Sequence, residues 1–168
     1  MTHYLGPPPS VIEIHPGFRN NSYSDIATIT KELTEQFERE FSLRPLILLE
    51  NRTEQFISTG SDIMEYWEYI KENHPEIIGY SGIVLDVQQL FTKTGSNFIK
   101  NLLIVPDDCI KALHIHTDHR MPILGDKIPW RLVFNRFSSI KQDLIINPEI
   151  HQMKKVQETI KFCETFLT

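Results

Sequence analysis

Cysteine is scarce in this sequence: Cys109 and Cys163 are the only two among 168 residues. Such a pair builds no disulfide framework, and both are expected as reduced core thiols, in keeping with a cytoplasmic protein. No apolar run approaches the ~20 residues of a membrane-spanning helix, and the N-terminus lacks a charged-then-apolar signal pattern. Positive charge is also in short supply, with 17 Lys and Arg against 22 Asp and Glu and a net charge of −5. That balance argues against broad, non-specific nucleic-acid binding, which needs a basic face to displace counterions. Low-complexity tracts are absent. What remains, 40% hydrophobic and 23% charged, is the composition of one ordinary soluble domain, 1–168, with a real core.

Five short apolar runs, each closing on a residue able to bind a metal, dominate the pattern. They are Val11 to His15, Leu46 to Glu50, Gly82 to Asp86, Ile110 to His114 and on to His116, and Leu144 to Glu149. Nearly continuous apolar character marks a strand covered on both faces, as in parallel sheets. The closing residues His15, Glu50, Asp86, His114 and Glu149 recur at intervals of 28 to 36 residues. These are the intervals of repeated βα units. Parallel strands share one C-terminal edge, so all five closing residues are expected to converge there, where α/β barrels place their chemistry.

Between the runs lie helical patterns. Residues 1–10, with three consecutive prolines, read as an extended lead-in. Ile26, Ile29, Leu33, Phe37 and Phe41 form one stripe, Ile63, Trp67 and Ile70 another behind a Ser61 cap, and Asn97 to Ile104 a third helix. Trp130 to Phe137 makes a fourth. A last helix is expected to present Ile150, Met153, Val156, Ile160, Cys163 and Leu167. Five units fall short of the eight units and roughly 250 residues of a closed barrel. The expected fold class is therefore α/β, with parallel βα repeats in a shortened, TIM-barrel-like arrangement. The exposed sheet edges predict self-association as a homodimer or higher oligomer.

Oxygen and nitrogen donors without thiolate suit Mn, Mg, Co, Fe or Zn at a site with an open position. A bland reading also exists, in which the polar residues cap strand ends and the carboxylates pair with Arg44, Arg52 or Arg120. His3, His74 and His151 read as surface or turn residues, whereas His116 shares a strand face with His114, as Glu13 does with His15.

Leu48-Leu-Glu50-Asn51, Leu85-Asp86 followed by Phe91, Leu113-His114-Ile-His116 and Gly125 to Trp130 resemble the second half of the xylose isomerase-like TIM-barrel superfamily. That superfamily embraces sugar isomerases and epimerases and the AP endonucleases of family 2. The likeness runs over almost the whole chain, from the fourth to the eighth barrel strand. It implies metal ligands at Glu50, Asp86, His114 and Glu149, with Asn147 competing with Glu149 for the last place. It also implies an acid/base pair in Glu50 and Glu149, acting on a small sugar-like substrate. Arg120, six positions after His114, matches a substrate-holding arginine of ketose epimerases, and His15, Gln89 and His116 complete the expected substrate contacts. An endonuclease IV-like phosphodiesterase acting on abasic DNA is the alternative activity. His15 resembles a histidine of those enzymes and His119 with Asp118 imitates a later ligand pair, but Gln89 stands where they carry histidine. A non-catalytic remnant of such a barrel is the third reading.

Overall fold

The computed structural model describes residues 7–140 and 143–167, with side-chain surroundings given up to residue 166. Five strands, β1 (Val11–Ile14), β2 (Leu46–Glu50), β3 (Ser81–Asp86), β4 (Ile110–His114) and β5 (Ile145–Asn147), pair in the order β1-β2-β3-β4-β5. Every pairing is parallel. The result is a curled half-barrel sheet with helices between its strands, a shortened TIM-barrel-like α/β fold as the repeats predict. Lead-in residues 1–6, with His3, lie outside the described residues. At the end of the lead-in, the Ser10 carbonyl accepts the Leu46 N–H at 2.8 Å.

Alternation along the strands separates two faces. Leu49, Ile83, Leu85, Leu113 and Ile115 join the main core beneath the helices, while Leu48, Val84 and Ala112 form a small apolar layer on the other face. By the period of two, Glu50, Asp86 and His114 stand above that small layer. Register fixes their level, since Asp86 pairs directly with His114 and His114 with Asn147.

Helices α1 (Tyr23–Phe41) and α2 (Gly60–Asn73) begin at capping boxes. Ser22 reciprocates with Asp25, and Thr59 with Asp62. Thr59 thus replaces the expected Ser61 cap, because it alone stands three residues before Asp62. Gly60 opens α2 so close to the Asn101 carbonyl that a Cβ would collide with that backbone. Its amide donates to Asn101 Oδ1 at 3.0 Å. On α2, Ile63, Trp67 and Ile70 are buried as their spacing predicts.

Two stripes are phased differently from expectation. On α1 the buried residues are Ile26, Ala27, Thr30 and Thr34, whereas Ile29 is 48% exposed. Small residues let this helix approach its neighbours, and the hydroxyl of Thr34 is satisfied by the Thr30 carbonyl at 2.9 Å. In the last helix, α6 (Val156–Leu167), Thr159 and Cys163 are buried, and Phe162 and Phe166 pack against the core. Met153 is 88% exposed, because it lies in a 3₁₀ turn before the helix and does not share its phase.

An additional helix, α3 (Val87–Thr94), starts directly at Asp86, and α4 (Phe98–Ile104) follows after a Gly95 turn. Helix α5 (Trp130–Ser138) lies where predicted, with Phe134 stacked on Phe166 of α6. Cys109 sits in a 3₁₀ turn rather than in β4. Both cysteines are buried and free, and burial raises their thiol pKa, to about 11 for Cys163.

Candidate metal centre

Each strand delivers a polar group to the C-terminal rim at the point where its backbone ladder runs out. Glu50 ends β2, Asp86 ends β3, His114 ends β4, and Glu149 follows β5 by two residues. Glu50, Asp86 and His114 are buried and Glu149 is half-buried. One ligand atom from each lies within 4.8 Å of all the others.

The supporting contacts show how three carboxylates tolerate this proximity. Glu50 receives His15 Nε2 at 3.2 Å on one oxygen and Arg52 Nη1 at 3.0 Å on the other. Asp86 doubles as the N-cap of α3: its Oδ1 accepts the Gln89 N–H at 2.8 Å, and its Oδ2 faces His116 Nε2 at 3.3 Å. Asn51 locks the same strand end, accepting the Asp86 N–H at 2.8 Å and donating to the Asp86 carbonyl at 3.1 Å. Charge-assisted contacts of this kind are stronger than neutral ones and fix the carboxylates in place.

His114 Nε2 lies 3.1 Å from Glu13 Oε2, an acceptor, and with the ring proton on Nε2 the Nδ1 lone pair is directed inward. Asn147 also reaches Nε2, at 3.2 Å. Turning its amide over presents Oδ1 as a second acceptor there. His114 Nδ1 is 3.2 Å from Glu149 Oε2 and 3.9 Å from Glu50 Oε1. No hydrogen bond of acceptable geometry forms, so His114 Nδ1 and Glu149 Oε2 are both buried without a partner among the described residues. Unpaired buried polar atoms are costly. A divalent ion accepts lone pairs from oxygen and nitrogen at once, so the quartet fits such an ion on its own chemistry.

A second group adjoins the first. His116 Nε2 is 3.4 Å and His119 Nδ1 3.9 Å from the Glu149 carboxylate. Burial pulls the His116 pKa down, but the hydrogen bond and charge of Asp86, with Glu149 and Asp118, outweigh it and hold the value above that of an ordinary histidine. The rings of His116 and His119 stack 4.6 Å apart, and His151 stacks on His119 at 4.4 Å.

Of the residues marked from sequence, Glu50, Asp86, His114 and Glu149 come together, joined by His15 at Glu50 and His116 at Asp86. Glu149, rather than Asn147, supplies the carboxylate of the quartet. Gln89 directs its Oε1 to the Thr53 N–H at 3.1 Å, tying α3 to the loop after β2. Arg120 is 64% exposed, pairs with Asp118 at 3.3 Å, and lines a neighbouring cleft of about 310 Å3 with Phe91 and Lys127. Arg44 pairs with Glu38, away from the rim.

Glu13, Asn51 and His151 also belong to the site. Glu13 carried a signal in its period-two relation to His15. His151 carried none, since its ring reaches the site through a turn.

No protein-family model matches the sequence, and no curated protein matches it. Solved structures do. The chain is similar to 3-keto-D-glucoside 4-epimerase YcjR from E. coli, with 15% identity and a TM-score of 0.61 over 92% of this chain and 63% of that one. It is likewise similar to a zinc-bound IolI protein, with 17% identity and a TM-score of 0.59 over 94% of this chain and 61% of the other. An L-ribulose 3-epimerase aligns with 12% identity and a TM-score of 0.59, over 91% of this chain and 52% of its own. The chain thus spans between half and two thirds of the length of these structures. Its five strands and their parallel order are the shortened TIM-barrel-like fold that it shares with these structures.

Proposed function

We propose that the chain binds one divalent metal ion through Glu50, Asp86, His114 and Glu149 and carries out isomerase or epimerase chemistry on a small carbohydrate. The observation that carries this reading is the convergence of those four donors, with His114 Nδ1 and Glu149 Oε2 buried and unpartnered where an ion would sit. Epimerases among the structural neighbours, and the zinc of the IolI protein, support the substrate class and the kind of cofactor.

The ion, when bound, would polarise a sugar carbonyl oxygen and favour loss of the neighbouring C–H proton. Glu50 and Glu149 are the groups placed to remove and return that proton. Glu50 enters on β2 and Glu149 after β5, so they reach the centre from strands separated by β3 and β4. His15 and Arg52, one on each oxygen, fix the Glu50 carboxylate in position. His114 is turned toward the centre by Glu13. Arg120, at the mouth of the neighbouring cleft, would grip distal hydroxyls of the sugar on leaving Asp118.

One observation favours a second reading. The His116, His119 and Glu149 group has ligand atoms within 4.8 Å of one another, and a further ion there would move the chemistry toward phosphodiester hydrolysis. Metal analysis of protein purified without chelator separates the two. The proposal expects about one equivalent of divalent metal, lost in both Glu50→Ala and Asp86→Ala, and deuterium exchange from D2O into a ketose beside its carbonyl. Two or three equivalents of zinc with cleavage of abasic DNA would replace it. Wild type without metal after reconstitution would leave a non-catalytic barrel remnant.

A further inference from the structure

His116 stands beside the four donors but differs from them in which nitrogen is free. Its Nδ1 accepts the backbone N–H of His119 at 3.1 Å. A neutral imidazole carries one proton, so that proton resides on Nε2. Nε2 lies 3.3 Å from Asp86 Oδ2 and 3.4 Å from Glu149 Oε2. It therefore presents its N–H to Asp86, with the Glu149 carboxylate close by but not hydrogen-bonded, and has no lone pair to offer a cation.

The backbone that imposes this tautomer is held under strain. Asp118 and His119 both have positive φ, 49° and 55°, a region that non-glycine residues enter at a cost. Two backbone hydrogen bonds of 2.9 Å between Thr117 and Arg120 close the turn. The His151 amide donates to the His119 carbonyl at 3.0 Å, and the rings of His116, His119 and His151 stack in succession. These contacts over-determine the turn and keep the His119 N–H aimed at His116.

We propose that His116 is a positioning residue rather than a ligand or a substrate contact: a fixed Nε2–H donor that holds the Asp86 carboxylate in place at the centre. It follows that the His116, His119 and Glu149 group is not a second metal site. The role at the metal rests on the single-ion reading above, whereas the tautomer does not. Partners that orient a metal ligand in this way typically contribute 10–100-fold to affinity.

The test is ¹⁵N histidine NMR of the chelator-stripped protein, with the His116 signals assigned from His116→Gln, followed by zinc titration of wild type, His116→Gln and His116→Phe. The Nε2–H tautomer should be present before zinc and persist after one equivalent. His116→Phe should weaken zinc about 10–100-fold with the stoichiometry unchanged. His116→Gln, which keeps an amide N–H near Nε2, should stay closer to wild type. An Nδ1–H tautomer, an Nε2 resonance moved into the metal-bound range, or a second zinc lost in His116→Phe would overturn the proposal. Wild type that binds no zinc defeats the metal reading, and with it the positioning role. The spectrum of the metal-free protein still decides the tautomer.

Discussion

The two faces of the sheet have opposite characters. Toward the helices the chain builds a continuous apolar core in which Trp67, Trp130, Phe134 and Phe137 are almost fully buried. Toward the other side, among the described residues, Leu48, Val84 and Ala112 are buried together, with Val11 and Leu46 at their margin, and above them stand three carboxylates and His114. The helix face has the composition that stabilises a domain. The other face gathers like charges and unpaired polar atoms, which costs stability and suits chemistry. A sheet one residue out of register would exchange the faces, so the fold and the site depend on the same alternation.

If that division holds, damage to one face should leave the other's property intact. The largest effect on stability belongs to Trp67→Ala, which should cost about 3–5 kcal/mol in urea denaturation as the emptied site relaxes only in part. Its metal affinity, measured where it is still folded, should match wild type. A parallel loss of metal binding would show that the two faces are energetically coupled. A smaller effect is expected at the start of α2. Thr59→Ala removes the side chain that caps Asp62 and should cost about 1 kcal/mol, again with metal binding unchanged.

The strands were legible because each is a near-uniform apolar run, and β2, β3 and β4 fall where the runs place them. The rim residues were legible for the same reason, since Glu50, Asp86 and His114 mark where each run becomes polar. Helix phase was less so. Ile29 and Ile160 satisfy a helical spacing but are exposed, because the faces of α1 and α6 are chosen by what they pack against, and Thr30, Thr34 and Thr159 are buried instead. Periodicity has no means of ranking a buried threonine above an exposed isoleucine. The helix Val87–Thr94 was hidden because its cap is Asp86, which reads as the end of a strand.

Contacts between units were the least legible. Glu13 meets His114 across 101 residues of sequence, and His151 reaches the site through ring stacking on His119 and a backbone hydrogen bond to it. Neither relation leaves a local pattern. The left-handed turn at Asp118 and His119 carries no glycine to announce it. Arg120 shows the converse, since its place six residues after His114 matches a motif while its side chain pairs with its neighbour Asp118.

The central claim, that the rim of the sheet is one metal centre, is tested most directly by thermal unfolding of chelator-stripped wild type and Glu50→Ala, with and without zinc or manganese. At a hundredfold excess over Kd, an ion bound only by the folded state adds about 2.7 kcal/mol, roughly 5–10 °C for a chain of this size. The account predicts that rise in wild type and none in Glu50→Ala. An equal rise in both, or none in wild type, would contradict it.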